Sequence, residues 1–344
     1  MSRSVPSSPP ARAPWRALRT ARGALAALAA PLLAPLLAAA CAPLARDPTP
    51  RYLAPVRPPL VRVVTEEAVV VGGHVEEVVR LRDAAGLETT LLVKRPAPTA
   101  AVPQPRGPLV LLLGGHHAGR DAARIIPDTH GHVVAALSYP YRGTHRPQGA
   151  SGVLRIAPAV RRASIETPLA VRLAIDWLVV QPWVDAAQVE AVGASLGVPF
   201  MSVAAATDHR ITRLWAVHGA GRSRDLLAHN ARPFVPSRPL QALAARAADA
   251  LVAGPRLTAE RWIGQVAPRP VVMINAEEDE RLPRDAVLAL WDAAHEPRTL
   301  VWMPGPHVQR NRPEVVQALL ATVLERMAAP PVPRATPAAQ RAAP

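Results

Sequence analysis

Residues Val189–Val203 read Val-Glu-Ala-Val-Gly-Ala-Ser-Leu-Gly-Val-Pro-Phe-Met-Ser-Val. A β-type run over Gln188–Val192 enters Gly193-Ala194-Ser195-Leu196-Gly197, and a run of apolar, mostly small residues follows. This pattern predicts a strand, a very tight turn and a helix. Gly193 and Gly197 lack side chains where the chain must fold back on itself, so Ser195 is held at the tip in a strained backbone. Its Oγ is then pushed into the open above a helix N-terminus, which favours developing negative charge. A chance Gly-x-Ser-x-Gly is common enough that the pentapeptide alone decides little. Its place at a strand-to-helix junction carries the weight.

The rest of the chain repeats that rhythm. Val61–Val71, Val75–Arg82 and Glu88–Lys94 are β-branched and alternating, with glycine turns between them, and predict an antiparallel entry to a sheet. Leu109–Leu113, Val133–Ser138, Ile211–Val217, Pro270–Asn275 and Thr299–Met303 are continuous apolar runs, as strands covered on both faces must be. Helices are expected at Ile165–Val180, Arg284–His295 and Pro313–Met327. The implied fold class is α/β, a mostly parallel twisted sheet flanked by helices, with its ligand site at the strand C-termini. Arg222–Gln265 interrupts the alternation; it reads either as a small helical lid or as a plain connecting helix pair.

Two further loops carry chemistry. Gly114-Gly115-His116-His117 follows a buried strand, where glycines let the backbone approach a ligand and free N–H groups receive an oxyanion. His116 and Leu196, through their backbone N–H groups, are the candidate donors. Glu277-Glu278-Asp279-Glu280 follows another strand. Four adjacent carboxylates cannot all turn inward, because like charges repel and each burial needs a partner. Asp279, with Pro283 closing the loop, is the candidate acid, and its neighbours read as solvated. His307, in Pro304-Gly305-Pro306-His307 at the last strand's end, is rigidly held yet reachable, as a general base must be.

His116, His117, Asp128, His130, His132 and His145 lie within thirty residues and raise a metal reading. It lacks any His-Glu-x-x-His spacing and is short of carboxylates, so no metal and no cofactor is expected. The formal charge of +14 invites nucleic acid as a partner. The arginines are scattered and no recognition motif accompanies them, so nucleic acid is excluded.

The N-terminus reads as an export segment spanning 1–40. Five arginines without acids precede an uncharged run from Gly23 to Ala40, and removing them would leave a charge of about +9. Ala38-Ala39-Ala40-Cys41 resembles the bacterial lipobox, whose cysteine is cleaved and diacylated, although Ala38 stands where leucine is usual. Cys41 is the only cysteine, which suits lipidation and excludes an internal disulfide. An ordinary signal peptide and an uncleaved anchor remain alternatives. Ala42 after the cysteine implies, by the same resemblance, a periplasm-facing outer-membrane lipoprotein. Residues 41–60 read as an extended Pro-rich tether, 61–328 as the folded body and 329–344 as a disordered tail.

Ser195, Asp279 and His307 occur in the order nucleophile, acid, base, with Gly114-Gly115-His116 upstream. In this the chain resembles the α/β-hydrolase superfamily. Trp177-Leu178, Pro182–Asp185, Asp279–Pro283 and Gly305-Pro306-His307 are similar to its dienelactone-hydrolase and acetylxylan-esterase-like branch. Two departures stand out: Gly114-Gly115 replaces the His-Gly that commonly opens the oxyanion loop, and Val198 follows the elbow where a small residue is frequent. The resemblance implies a serine hydrolase acting on a small-molecule ester through an acyl-enzyme. A non-catalytic envelope lipoprotein on the same fold, a peptidase and a metal-dependent hydrolase are the competing readings.

Overall fold

The computed structural model describes residues 47–115, 118–143, 149–309 and 311–328. The stretch expected as an export segment, Cys41, the loop residues His116, His117 and His145, and residues 329–344 lie outside these.

Ten strands form one sheet: β1 (Leu60–Thr65), β2 (Val69–Val71), β3 (His74–Asp83), β4 (Glu88–Pro96), β5 (Gly107–Leu113), β6 (Val133–Leu137), β7 (Val184–Ala194), β8 (Arg213–Val217), β9 (Val271–Ala276) and β10 (Arg298–Met303). Their order is β1-β3-β4-β6-β5-β7-β8-β9-β10, with β2 paired to β3. The entry strands pair antiparallel as far as the β4–β6 ladder, and β6 to β10 are parallel. The run Val61–Val71, expected as one strand, is two. It breaks at Glu66, whose N–H bonds Val78 O at 2.8 Å.

Because side chains alternate across a strand, each continuous apolar run feeds both faces. Leu109, Leu111 and Leu113 of β5 enter the larger core, and Val110 enters the smaller one with Val134, Val192, Val217 and Ile274. Helix α1 (Thr49–Leu53) belongs to the larger side. Residues 41–60 were expected as an extended tether, and where they are described this is corrected. Tyr52 is buried, stacks edge-on to Trp262 at 5.9 Å and donates from its hydroxyl to Ile165 O at 2.9 Å. A buried aromatic with a satisfied hydroxyl outweighs the extended preference of the surrounding prolines.

Among its described residues, the crossover from β5 to β6 holds a single α-helical turn, α2 (Ala122–Ile125), preceded by one 3₁₀ turn. By contrast α3 (Gly149–Leu178) is 30 residues long and starts sixteen residues before the expected Ile165. Pro158 and Pro168 lie inside it, and a proline in a helix interior costs about 3 kcal/mol. Burial of Ala163, Ala170, Val171 and Ala174 offsets that, and Arg161 ties the helix to Ala250 O at 2.8 Å.

After β7 comes α4 (Gly197–Thr207), all but two of its residues buried. The interruption at 222–265 is four short helices: α5 (Ser223–Ala231), α6 (Arg238–Leu251), α7 (Gly254–Leu257) and α8 (Ala259–Ile263). The last is core, with Trp262 and Ile263 buried. The first abuts the acid loop, Asn230 donating to Arg281 O at 3.0 Å. Helices α9 (Arg284–Ala293) and α10 (Pro313–Ala328) complete the layers.

The strand-to-helix turn at 193–197 is tightly packed against β5. A Cβ built on Gly197 would overlap the carbonyl of Leu113 in β5, and one on Gly193 would lie 2.9 Å from Val198 Cα. Gly197→Ala must therefore part α4 from β5. We expect a stability loss of about 1–3 kcal/mol or more in urea denaturation; an unchanged midpoint would show that the elbow is not packed this closely.

Candidate active site

Strand β7 ends at Ala194, and Ser195 adopts φ +53°, a left-handed conformation unfavourable for a residue with a Cβ. The turn is held from both sides. Ser195 N–H donates to Val217 O at 2.9 Å, and Val198 N–H donates to Ser195 O at 3.1 Å. Oγ is thereby presented at the C-terminal edge of the parallel strands. Val198, the departure noted after the elbow, is accommodated from the neighbouring strand end: a Cβ on Gly219 would meet its methyls at 3.0 Å. The residue opposite is small, so Val198 need not be.

Three candidates chosen from sequence meet here. Ser195 Oγ lies 2.9 Å from His307 Nε2, and His307 Nδ1 lies 2.7 Å from Asp279 Oδ2. His307 is buried, Ser195 is half-buried, and the Asp279 side chain is 3% exposed. A carboxylate only accepts, so His307 carries its proton on Nδ1 and offers the Nε2 lone pair to the serine hydroxyl.

Sequence reasoning missed a fourth member. His218 directly follows β8, is buried, has φ +47°, and places Nδ1 3.0 Å from the same Asp279 Oδ2. The two imidazoles meet edge to face, 5.2 Å between centroids. Val308 N–H also lies 3.3 Å from His218 Nδ1, and a single tautomer cannot serve both neighbours. The shorter, charge-assisted bond to the carboxylate decides it, so His218 donates to Asp279. Oδ1 accepts from Arg281 N–H and Leu282 N–H, each at 2.9 Å. All four acceptor sites of the carboxylate are then filled. Burial alone would raise its pKa. The His218 and His307 bonds, the His307 charge and the Arg281 N–H more than offset that and hold it well below the usual carboxylate range. The signal for His218 was present: a histidine beside glycine at the end of a buried strand, as His307 is a histidine in a glycine- and proline-rich loop at a strand end.

Glu277, Glu278 and Glu280 are exposed, as expected of solvated neighbours, but two of them also bind the opposite loop. Glu278 accepts from Gly305 N–H, and Glu280 Oε2 accepts from His307 N–H at 3.0 Å. Arg312 reaches Glu280 Oε1 at 2.8 Å. The loop carrying the acid thus grips the backbone of the loop carrying the base.

For the oxyanion, Leu196 stands at the N-cap of α4, and its N–H is unpaired among the described residues. His116 lies outside the described residues. Next to it, Gly114 and Gly115 line the same cavity as Ser195, and Tyr139 fixes them by donating to Gly114 O at 2.7 Å. That cavity has a volume of about 800 Å³. No described residue of 222–265 lines it, so these helices flank the site and do not roof it.

The histidine-rich stretch considered for a metal is arranged otherwise. Asp128 Oδ1 accepts from His130 N–H at 2.8 Å, and His132 Nδ1 contacts Thr129 O at 3.0 Å. Among the described residues the grouping able to hold an ion is His218, Asp279 and His307. An ion there would displace the Nδ1 protons that set both tautomers.

No family model and no curated protein matches the sequence. Solved structures do match the fold. An acetyl xylan esterase from Paenibacillus sp. R4 superposes with TM-score 0.55 at 14% identity, covering 80% of this chain and 91% of that one. Acetyl xylan esterase 1 from Thermoanaerobacterium sp. JW/SL YS485 gives 0.52 at 14%, covering 78% and 89%. The chain has the α/β-hydrolase fold, in its acetyl xylan esterase-like form. A hypothetical protein from Pseudomonas aeruginosa shares this hydrolase fold, with TM-score 0.53 at 15% identity over 75% and 95% of the two chains.

One carboxylate holding two imidazole protons has a spectroscopic consequence. Both Nδ1 protons should exchange slowly with water in ¹⁵N-edited spectra at neutral pH. In Asp279→Asn the amide oxygen is claimed by Arg281 and Leu282, so the amide NH₂ faces both rings and both tautomers must flip. His218→Asn should instead leave the His307 proton in place; its loss would show that the tautomer is set elsewhere.

Proposed function

We propose that this chain is a serine-dependent carboxylic ester hydrolase working through an acyl-enzyme. The observation that carries the reading is the continuous path from Ser195 Oγ through His307 to the saturated Asp279 carboxylate, 2.9 and 2.7 Å per step. Two of the matched structures are acetyl xylan esterases, which favours ester over amide substrates.

In this reading His307 Nε2 takes the proton of Ser195 as Oγ bonds to the ester carbonyl carbon. The carbonyl oxygen becomes an oxyanion, received by the N–H of Leu196 and, as the second donor, that of His116. The carbon–oxygen bond to the alcohol then breaks, and His307 hands that alcohol the proton. Water repeats the sequence on the acyl-serine, giving the acid and restoring Oγ–H. Asp279 stays ionised throughout, fixing the tautomer and compensating the imidazolium. His218 touches none of the reacting atoms; it positions Asp279.

Ser195→Ala should lower p-nitrophenyl ester hydrolysis on the order of 10⁴-fold or more and abolish labelling by a fluorophosphonate. Wild-type protein that is folded and ignores both reagents would overturn the proposal.

We further propose that the leader is removed before Cys41, that a lipid on this sulfur anchors the protein to a membrane, and that the body faces the periplasm. Cys41→Ser should move the protein from the membrane to the soluble fraction; unchanged membrane partition would remove the lipid anchor.

A further inference from the structure

The two faces of the sheet are covered unequally. On the larger side α3, α4, α8 and α9 fill the space against Leu109, Leu111, Ala191 and Met273. On the other side the β5–β6 crossover supplies one α-helical turn, and α10 closes the remainder with Leu319 and Val323. Such a crossover is more usually a full helix. Between α10 and the sheet lies the cavity of about 800 Å³, floored by Val110, Leu112, Val134, Val192 and Val217.

Two properties constrain what fills it. Its sheet floor and α10 wall are aliphatic, so an occupant there is apolar and uncharged, since a charged group would lie buried without a partner. It is also continuous with the chemistry: Ser195, His307 and Gly114 form its wall at the catalytic edge. From Gly114 to Val110 the floor runs four residues back along β5, roughly 13 Å at strand spacing. Arg281 and Gln309 flank the catalytic end, where an ester's polar atoms would sit, and Asp128, Thr129 and His132 line the opposite rim, where Asp128 is exposed to water. An acetyl group would occupy only the mouth and leave the apolar floor facing water.

We propose that this cavity is an acyl-chain site, and that the substrates are esters of medium- to long-chain aliphatic acids. The chain runs from Ser195 beneath β5 and β7 toward Val134 and Met327, with the carbonyl at the elbow and the alcohol outside. This rests on the serine ester hydrolase reading for its chemistry, but not for its geometry.

Full-length protein is assayed on p-nitrophenyl esters from acetate to dodecanoate. Each buried methylene adds up to about fourfold in kcat/KM, so decanoate should exceed acetate by at least roughly a hundredfold. Val323→Trp, and the milder Met327→Trp on the same wall, should each lower decanoate turnover tenfold or more with acetate turnover unchanged. Ester hydrolysis with a flat or falling chain-length profile overturns the acyl site and leaves the hydrolase reading intact. Calorimetric titration of Ser195→Ala with sodium dodecanoate tests the cavity without turnover. Binding with a negative heat-capacity change, lost in Ser195→Ala combined with Val323→Trp, supports the site. Binding without cleavage of any ester keeps the site and overturns the hydrolase reading; no binding overturns the site.

Discussion

The contact between Gly197 and the Leu113 carbonyl governs the geometry of everything above it. A helix can follow β7 this closely only where its first residue has no side chain, since any Cβ at Gly197 would overlap that carbonyl. The closeness forces Ser195 into φ +53°, a strain of order 1–2 kcal/mol that persists only because the surroundings over-determine it. Those surroundings are specific: the Val217 carbonyl, the Val198 amide and the space left by Gly219. Relaxing the elbow would swing Oγ away from His307 before any catalytic group was altered.

A second constraint follows from burying Asp279. An ionised carboxylate shielded from water needs every acceptor site answered, and here two backbone amides and two imidazoles answer them. Only one imidazole reaches the serine. The other holds the carboxylate against rotation, so the direction of the His307 ring is set by a group outside the Ser195–His307–Asp279 path. The exposed Glu278 and Glu280 extend this arrangement outward by accepting from the backbone of Gly305 and His307. A run of four acids at one strand end therefore divides its work: one orients the base and two hold its loop.

Much of this was legible in the amino-acid order, for a physical reason. Leu109–Leu113 and Pro270–Asn275 announce strands covered on both faces, and the elbow and His307 loop follow from glycines and prolines placed at strand ends. What escaped depends on distant partners. Tyr52 sits among prolines that favour extension, and only Trp262 and Ile165, more than a hundred residues away, make it core. The helix expected from Ile165 begins at Gly149, and Pro158 is tolerated inside the added stretch because the contacts that hold it, such as Arg161 to Ala250 O, lie on other elements. His218 carries the mark of a histidine beside glycine at a strand end, but its partner Asp279 lies 61 residues on and is met only once β8 and β9 are adjacent. Asp279 could be chosen from its run of acids by elimination, whereas the amides tying Glu278 and Glu280 to the next loop could not be read at all.

The short β5–β6 crossover ties the two halves of the functional reading together. A full helix after β5 would continue the packing seen on the opposite face and cover Val110 and Val134. A loop and single turns of helix there instead leave Gly114 and Gly115 lining the cavity beside the elbow, with the sheet beneath them open to it. The free backbone at the catalytic edge and the apolar space behind it thus have one cause. Lengthening this crossover to stabilise the fold would fill that space from the far end first, well away from Ser195, so stability and chain-length preference are coupled through a segment that contains none of the three reacting side chains.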